Sequence, residues 1–176
     1  MKNWRAEGED LVTARLRLRR PAPADVDLIH TVHSDARCCV HNPADMLTSH
    51  TEAADLYHRW DEHWQHHGLG YWIVHGDGHD LGFCGLKVMT LQNHGVLNLC
   101  YRFKPSAWGQ GVATEATAVV VDWADARRPD VPVVARVRPA NVASQRVAVK
   151  VGLQRAEHLD AQGEDGLDWV YARRWS

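Results

Sequence analysis

Two absences narrow this chain before any motif is read. No apolar run reaches the length of a membrane span, and no charged segment precedes a short apolar stretch near the N-terminus. The expectation is a cytoplasmic protein with no membrane partner. Disulfide and metal frameworks are also missing. Cys38, Cys39, Cys84 and Cys100 show no Cys-x-x-Cys spacing, and adjacent Cys38 and Cys39 are a poor pair. All four read as reduced thiols, mostly small core residues. The 12 histidines include no His-Glu-x-x-His, and Glu62-His63-x-x-x-His67 has the wrong order for that zinc motif, although His63 and His67 can share a helix face. No metal is expected. A formal net charge of −2 leaves no general footprint for nucleic acid. The one basic stripe, Arg15, Arg17, Arg19 and Arg20, reads as the solvated face of an edge strand.

What is present suits a soluble globule. With 176 residues, 45% apolar and 24% charged, the chain is expected to form one domain over 1–176 with a real core. Residues 11 to 20 alternate with strand period. Pro23 suits a helix start, with Val26, Ile29 and Val32 or His33 as its stripe. Ser49 and Glu52 read as a capping box for a helix that buries Ala53, Leu56, Trp60 and Trp64 and stops at Gly68. Residues 71–75, 81–90 and 96–103 read as an antiparallel meander, turning at Gly76-Asp-Gly78 and Gln92-Asn-His-Gly95. A long helix is predicted over 112–127. A β-branched strand over 131–138 follows it, parallel to 96–103 after a right-handed crossover. Asn141 is a good N-cap for a last helix and Gly152 a good C-terminal stop. The final strand, 167–173, is expected to hairpin with residues 153–160.

The most informative stretch runs from Tyr101 to Ala116, Tyr-Arg-Phe-Lys-Pro-Ser-Ala-Trp-Gly-Gln-Gly-Val-Ala-Thr-Glu-Ala. A strand ends, a turn follows, and Gly109-Gln-Gly-Val-Ala113 leads into a helix. The unpaired first-turn N–H groups of that helix, at the positive end of its dipole, make a socket for a phosphate-like anion. Val112 and Ala113 after Gly111 exclude a P-loop, which needs Lys there. Thr114 and the position of Asp130 are poor for a dinucleotide fingerprint. A plain tight turn before a surface helix stays open at this point.

The order of motifs resembles the GNAT acyl-CoA N-acyltransferase superfamily. The signature is Trp108-Gly-x-Gly-x-Ala-Thr-Glu-Ala116, then a strand, then Asn141-x-x-Ser144, then a helix ending at Gly152. The likeness spans residues 9 to 174 and is greatest to the branch of bacterial ribosomal-protein N-terminal acetyltransferases and their small-molecule relatives. It implies an α/β (α+β) fold with a mixed central sheet of about seven strands. Most are antiparallel, one central parallel pair splays apart, and about four helices flank the sheet.

The resemblance also implies a site. Acetyl-CoA is the expected co-substrate. Leu99, Tyr101, Arg102 and Phe103 would contact it through strand backbone, and Gly109, Gln110, Gly111, Val112, Ala113 and Thr114 through loop amides. Asn141 would cap its helix and also touch the pantetheine. The position seven residues after Asn141, often an acidic Tyr in the superfamily, is Ala148, so the thiolate acid maps to Ser144. Where many relatives carry a strand Glu as base, this chain has Asn98, leaving a water relay or His33, Asp35 or His94. His33, Trp72 and Asn98 are the expected acceptor contacts. The implied activity is acetyl transfer to a primary amine, on a small molecule or a protein N-terminus, by direct attack in a ternary complex. The alternatives are another donor such as succinyl-CoA, with Arg102 or Arg136 at its acyl end, or a non-catalytic CoA-binding module. A homodimer is left open.

Overall fold

The computed structural model describes residues 4–175; residues 1–3 and 176 of the expected 1–176 unit lie outside the described residues. Strands β1 (Arg5–Glu7), β2 (Asp10–Val12) and β3 (Leu16–Arg19) open the chain, followed by helices α1 (Val26–Ser34) and α2 (His50–His67). The meander is β4 (Tyr71–Gly76), β5 (His79–Leu91) and β6 (His94–Phe103). Helix α3 (Val112–Arg127), β7 (Val133–Val137) and α4 (Val142–Lys150) come next, then β8 (Gln154–Arg155), β9 (Ala161–Gly163) and β10 (Gly166–Arg173). The sheet order is β1-β2-β3-β4-β5-β6-β7-β10-β8, with β9 on β10. Among the described residues only β6 and β7 pair parallel; the other pairs are antiparallel. The count of ten exceeds the expected seven because β1 is additional, residues 11–20 divide into β2 and β3, and the segment before β10 divides into β8 and β9.

Local chemistry explains the boundaries. Ser49 and Glu52 form the capping box of α2, and Gly68 closes it in the left-handed region at φ 66°. Both meander turns carry two successive positive φ values, Asp77 and Gly78, then Gln92 and Asn93, as two-residue hairpins require. Helix α3 spans the predicted residues, and its crossover places β7 beside β6.

Two readings need correction. Residues 11–20 are not one strand: Thr13 Oγ1 accepts from the backbone N–H of Leu16 (2.9 Å) and Arg15 (3.2 Å), turning the chain between β2 and β3. That turn lets Leu11, Leu16 and Leu18 share one core despite their opposite parity. The arginine stripe does not line an edge either, because β3 lies between β2 and β4. Arg15 pairs with Glu115, Arg17 with Asp10, Arg19 with Asp25 and Asp80, and Arg20 with Asp61. The expected hairpin of β10 with residues 153–160 holds at β8, where Arg155 pairs with Tyr171, and β9 completes it at the turn, where Gly163 pairs with Gly166.

The sheet is covered on both faces. Period-2 alternation sends Trp72, Leu86, Leu97 and Leu99 into a core with α3, and Ile73 and Phe83 into a second core with α1 and α2. Among the described residues no helix is long and apolar enough to cross a membrane.

Candidate active site

Strands β6 and β7 pair only at Leu97 with Val133 and Asn98 with Val134. Beyond Asn98 they part. A cleft of about 360 Å³ opens between them, lined by Asn98–Arg102 from β6, by Ala135, Arg136 and Val137 from β7, and by Asn141, Ser144 and Ala148 from the α4 side. The β6 edge facing it follows from parity. Leu97 N–H reaches Pro132 O across the gap, whereas Lys104 N–H reaches Leu81 O on β5. Leu99, Tyr101 and Phe103 therefore turn their backbone groups toward the cleft. Arg102 turns its backbone toward β5, so its expected backbone contact does not hold; it offers the cleft its side chain. The Phe103 carbonyl is already taken, by Trp108 Nε1 at 2.9 Å and Cys38 Sγ at 3.4 Å.

The Trp108 bond ties the glycine loop to the open end of β6. Gly109 and Gly111 have φ of 73° and 77°, and a Cβ at Gly109 would meet nothing within 4 Å. Gly111 is the N-cap of α3, with no side-chain cap. Glu115 N–H is the first to reach back, to Gly111 O, which leaves the N–H groups of Val112, Ala113 and Thr114 without intrahelical acceptors. Arg15 braces the loop from outside. Its guanidinium donates to the Gln110 carbonyl at 3.2 and 3.3 Å and to Glu115 at 2.5 and 2.8 Å.

Inside the cleft, Asn141 caps α4 by accepting from Ser144 N–H at 3.1 Å. The Ser144 hydroxyl accepts a hydrogen bond from the Tyr101 phenol at 2.9 Å. Burial pushes the Tyr101 phenol up to about 12, against the opposing effect of Ser144, so it stays protonated at neutral pH. Sequence reading missed this pair; the signal was parity, because Tyr101 shares the α4-facing side of β6 with Leu97 and Leu99. Burial also raises the Cys100 thiol. Asn98 lines the cleft with its Oδ1 buried and unpartnered among the described residues.

A second hollow, of about 330 Å³, lies under α1 and α2 and shares Asp45, Tyr71, Lys87, Cys100 and Arg102 with the first. His33 belongs to its wall. It is buried, bonds Ile29 O through Nδ1 at 2.8 Å and stacks on Phe83 at 5.4 Å. Burial, and then the Arg102 charge, lower its pKa to about 4. It is thus a neutral wall residue and too weak a base to hold a proton near pH 7. Trp72 lies outside both hollows. It is 1% exposed, packed edge-on against Trp64 (5.0 Å) and Trp123 (5.4 Å) in the α3 core. One residue earlier, Tyr71 faces the hollow instead, beside Trp60 and Phe83.

The other proposed bases are elsewhere. Asp35 is held by Arg37 at 2.6 Å. His94 opens β6, seven residues or about 23 Å from Tyr101. The two arginines considered for a carboxylated acyl group are both paired, Arg102 with Asp45 (2.7 Å) and Arg136 with Asp168 (2.6 Å). His63 is fixed between Leu69 O (2.8 Å) and Val88 N–H (3.0 Å), so neither of its ring nitrogens is free.

Comparison with known proteins agrees with this geometry. The Acetyltransferase (GNAT) domain family matches residues 15–154. An uncharacterized protein, YkkB, of Bacillus subtilis is 28% identical over 157 residues, covering 85% of this chain and 87% of that one. The crystal structure of an acetyltransferase from Agrobacterium tumefaciens superposes with a TM-score of 0.79 at 23% identity, over 99% of both chains. RimL, a ribosomal L7/L12 alpha-N-protein acetyltransferase solved with coenzyme A, superposes with a TM-score of 0.75 at 19% identity, over 92% of this chain and 95% of its own.

Proposed function

The chain belongs to the GNAT acetyltransferase family, and from that premise we propose that it moves acetyl from acetyl-CoA to a primary amine by direct attack, as one catalytic unit. The observation that carries the reading is the gap between β6 and β7, which opens beside a glycine-flanked helix N-terminus and holds the Ser144 hydroxyl. The residues present fit the donor. The open edge of β6 offers the Leu99 and Tyr101 backbone to pantetheine amides. The free N–H groups of Val112, Ala113 and Thr114, beside Gly109, Gln110 and Gly111, suit a pyrophosphate. Acetyl-CoA supplies an activated carbonyl and a thiolate leaving group.

Each residue then has a role. A β6 N–H, from Leu99 or Tyr101, polarises the carbonyl oxygen. Ser144 donates its hydroxyl proton toward sulfur as the C–S bond breaks, the Tyr101 hydroxyl holds Ser144 Oγ in place, and the proton released by the newly acylated nitrogen returns to Ser144 through water. Asn141 fixes the turn of α4 that presents Ser144. The unpartnered Oδ1 of Asn98 accepts an N–H of the incoming amine, which relieves a buried polar atom that otherwise costs about 1–3 kcal/mol. The raised Cys100 thiol is a poor nucleophile, which supports transfer without an acyl-enzyme. The acceptor enters through the hollow walled by His33, Tyr71 and Phe83. All four cysteines are free, which favours a reducing, cytoplasmic setting.

The test is mass spectrometry of products after incubation with acetyl-CoA, or separately succinyl-CoA, and a panel of amines. N-acetylated amine with stoichiometric CoA release is expected. Binding of CoA with no acylated product from either donor leaves only a binding module.

A further inference from the structure

The acceptor hollow has a sign. Its ionic side chains are Arg59 from α2, Lys87 from β5, Arg102 from β6 and one carboxylate, Asp45. Its two histidines add no charge. His33 is lowered to about 4 by burial and by Arg102, and His63 accepts from Val88 N–H at Nε2, which makes it the neutral Nδ1–H tautomer. Three cations against one carboxylate leave the hollow net positive by two. Asp45 is spent on Arg102, the only cation it pairs with among the described residues, at 2.7 Å. Arg59 and Lys87 stand exposed at the mouth with no ion pair among the described residues. Arg15, Arg17, Arg19, Arg20, Arg136, Arg138 and Arg155 are matched to carboxylates, whereas Lys104, Arg127, Arg128, Arg146 and Lys150, outside the hollow, are likewise without an ion pair among the described residues. Cations from three separate elements line a hollow with an aromatic floor of Trp60, Tyr71 and Phe83, and two of them, Arg59 and Lys87, are left unneutralised.

From this we infer that the acceptor is a small amine carrying its own negative group and an apolar or aromatic side chain, of which a free α-amino acid is the simplest form; the inference rests on the acetyl-transfer reading above. The apolar part lies against Trp60, Tyr71 and Phe83, and the anionic group meets Lys87 and Arg59. The hollow, at about 330 Å³, has room for a molecule of that size. The same charge answers a chemical difficulty. Position 98, where a base is expected, is an amide. A positive surrounding disfavours the ammonium form of the acceptor and lowers its pKa. The amine gives its ammonium proton to water before attack; its lone pair forms the N–C bond as the C–S bond breaks, the acylated nitrogen then loses a second proton to water, and sulfur leaves as the thiol with the proton from Ser144. Polycationic acceptors are repelled by the same field.

Equilibrium binding decides the point independently of turnover. Calorimetry, with and without bound CoA, compares phenylalanine, leucine and tryptophan with their carboxamides, and with spermidine. Each free amino acid is expected to bind about tenfold or more tightly than its amide, as a hydrogen-bonded charge contact gives, and spermidine most weakly. Lys87→Glu with Arg59→Glu, both exposed and able to fold, should erase or reverse the preference. Equal binding of acids and amides, tightest binding of spermidine, or an unchanged preference in the double variant overturns the inference. Failure to bind CoA instead overturns the acetyl-transfer reading, while the amine arms without CoA still report the sign of the hollow.

Discussion

The Tyr101 phenol and the Ser144 hydroxyl are joined at 2.9 Å across the gap between β6 and α4. Because Tyr101 donates, the Ser144 proton is free to point at sulfur. The hydroxyl matters most when charge builds on sulfur and little against the neutral thioester, so Ser144→Ala should lower kcat by roughly 10²–10⁴ with a small change in the acetyl-CoA dissociation constant. Tyr101→Phe removes one neutral hydrogen bond and should cost about 2–13-fold. Steady-state kinetics on a working acceptor, with donor binding by calorimetry, check both. Full turnover by Ser144→Ala would reduce Ser144 to a helix residue.

The glycine loop makes a separable prediction. At φ 77° a non-glycine residue at 111 is strained by about 1–2 kcal/mol, yet a Cβ there meets only Arg15 Nη2, at 3.7 Å. Gly111→Asp should therefore fold while setting a carboxylate where the phosphate belongs. At 100 times its Kd, CoA should raise the wild-type Tm by about 5–11 °C and the variant by almost nothing. Thermal scans with and without CoA are the measurement. Equal protection of the two proteins removes the loop from the site.

How far the sequence carried depended on the range of the interactions involved. Turns, caps and helix limits are local, so Ser49-x-x-Glu52, Gly68, Gly76-Asp-Gly78 and Asn141 were readable directly. The parallel pair followed from strand-helix-strand order. What failed was parity and partnership. The alternation through residues 11–20 conceals a turn at Thr13, whose hydroxyl replaces ladder bonds. Tyr71 and Trp72 are both aromatic, so composition could not say which faces the hollow. Arg102 and Asp45 are 57 residues apart, and Arg15 and Glu115 are 100 apart, so no local pattern joins them.

The correction at Trp72 can be tested directly. Its ring is a full member of the α3 core, so Trp72→Ala should destabilise by about 3–5 kcal/mol. Below the unfolding transition its KM for the acceptor should match wild type. Tyr71→Leu should do the opposite, raising KM by removing a cleft wall with a smaller loss of stability. Urea unfolding paired with acceptor kinetics distinguishes the two. A raised KM in Trp72→Ala at full foldedness would return that residue to the site.

His33 should make stability depend on pH. Its folded pKa is about 4, lowered first by burial and then by Arg102, with the Ile29 hydrogen bond and Asp45 opposing. The unfolded value is about 6.5. Between these the unfolded chain binds the proton that the folded chain refuses, so stability rises with pH across that window. The contribution is complete above about 6.5 and is lost as pH falls toward 4; the difference in pKa is worth about 3 kcal/mol. His33→Phe keeps a ring against Phe83 and cannot titrate. Urea unfolding at pH 7.0, 5.5 and 4.5 should show the wild type losing about 2.4 kcal/mol more than the variant across the range, since every other titrating group is common to both. Parallel curves for the two proteins would mean that the ring at 33 keeps an ordinary imidazole pKa in the folded state and is not held neutral by burial and Arg102.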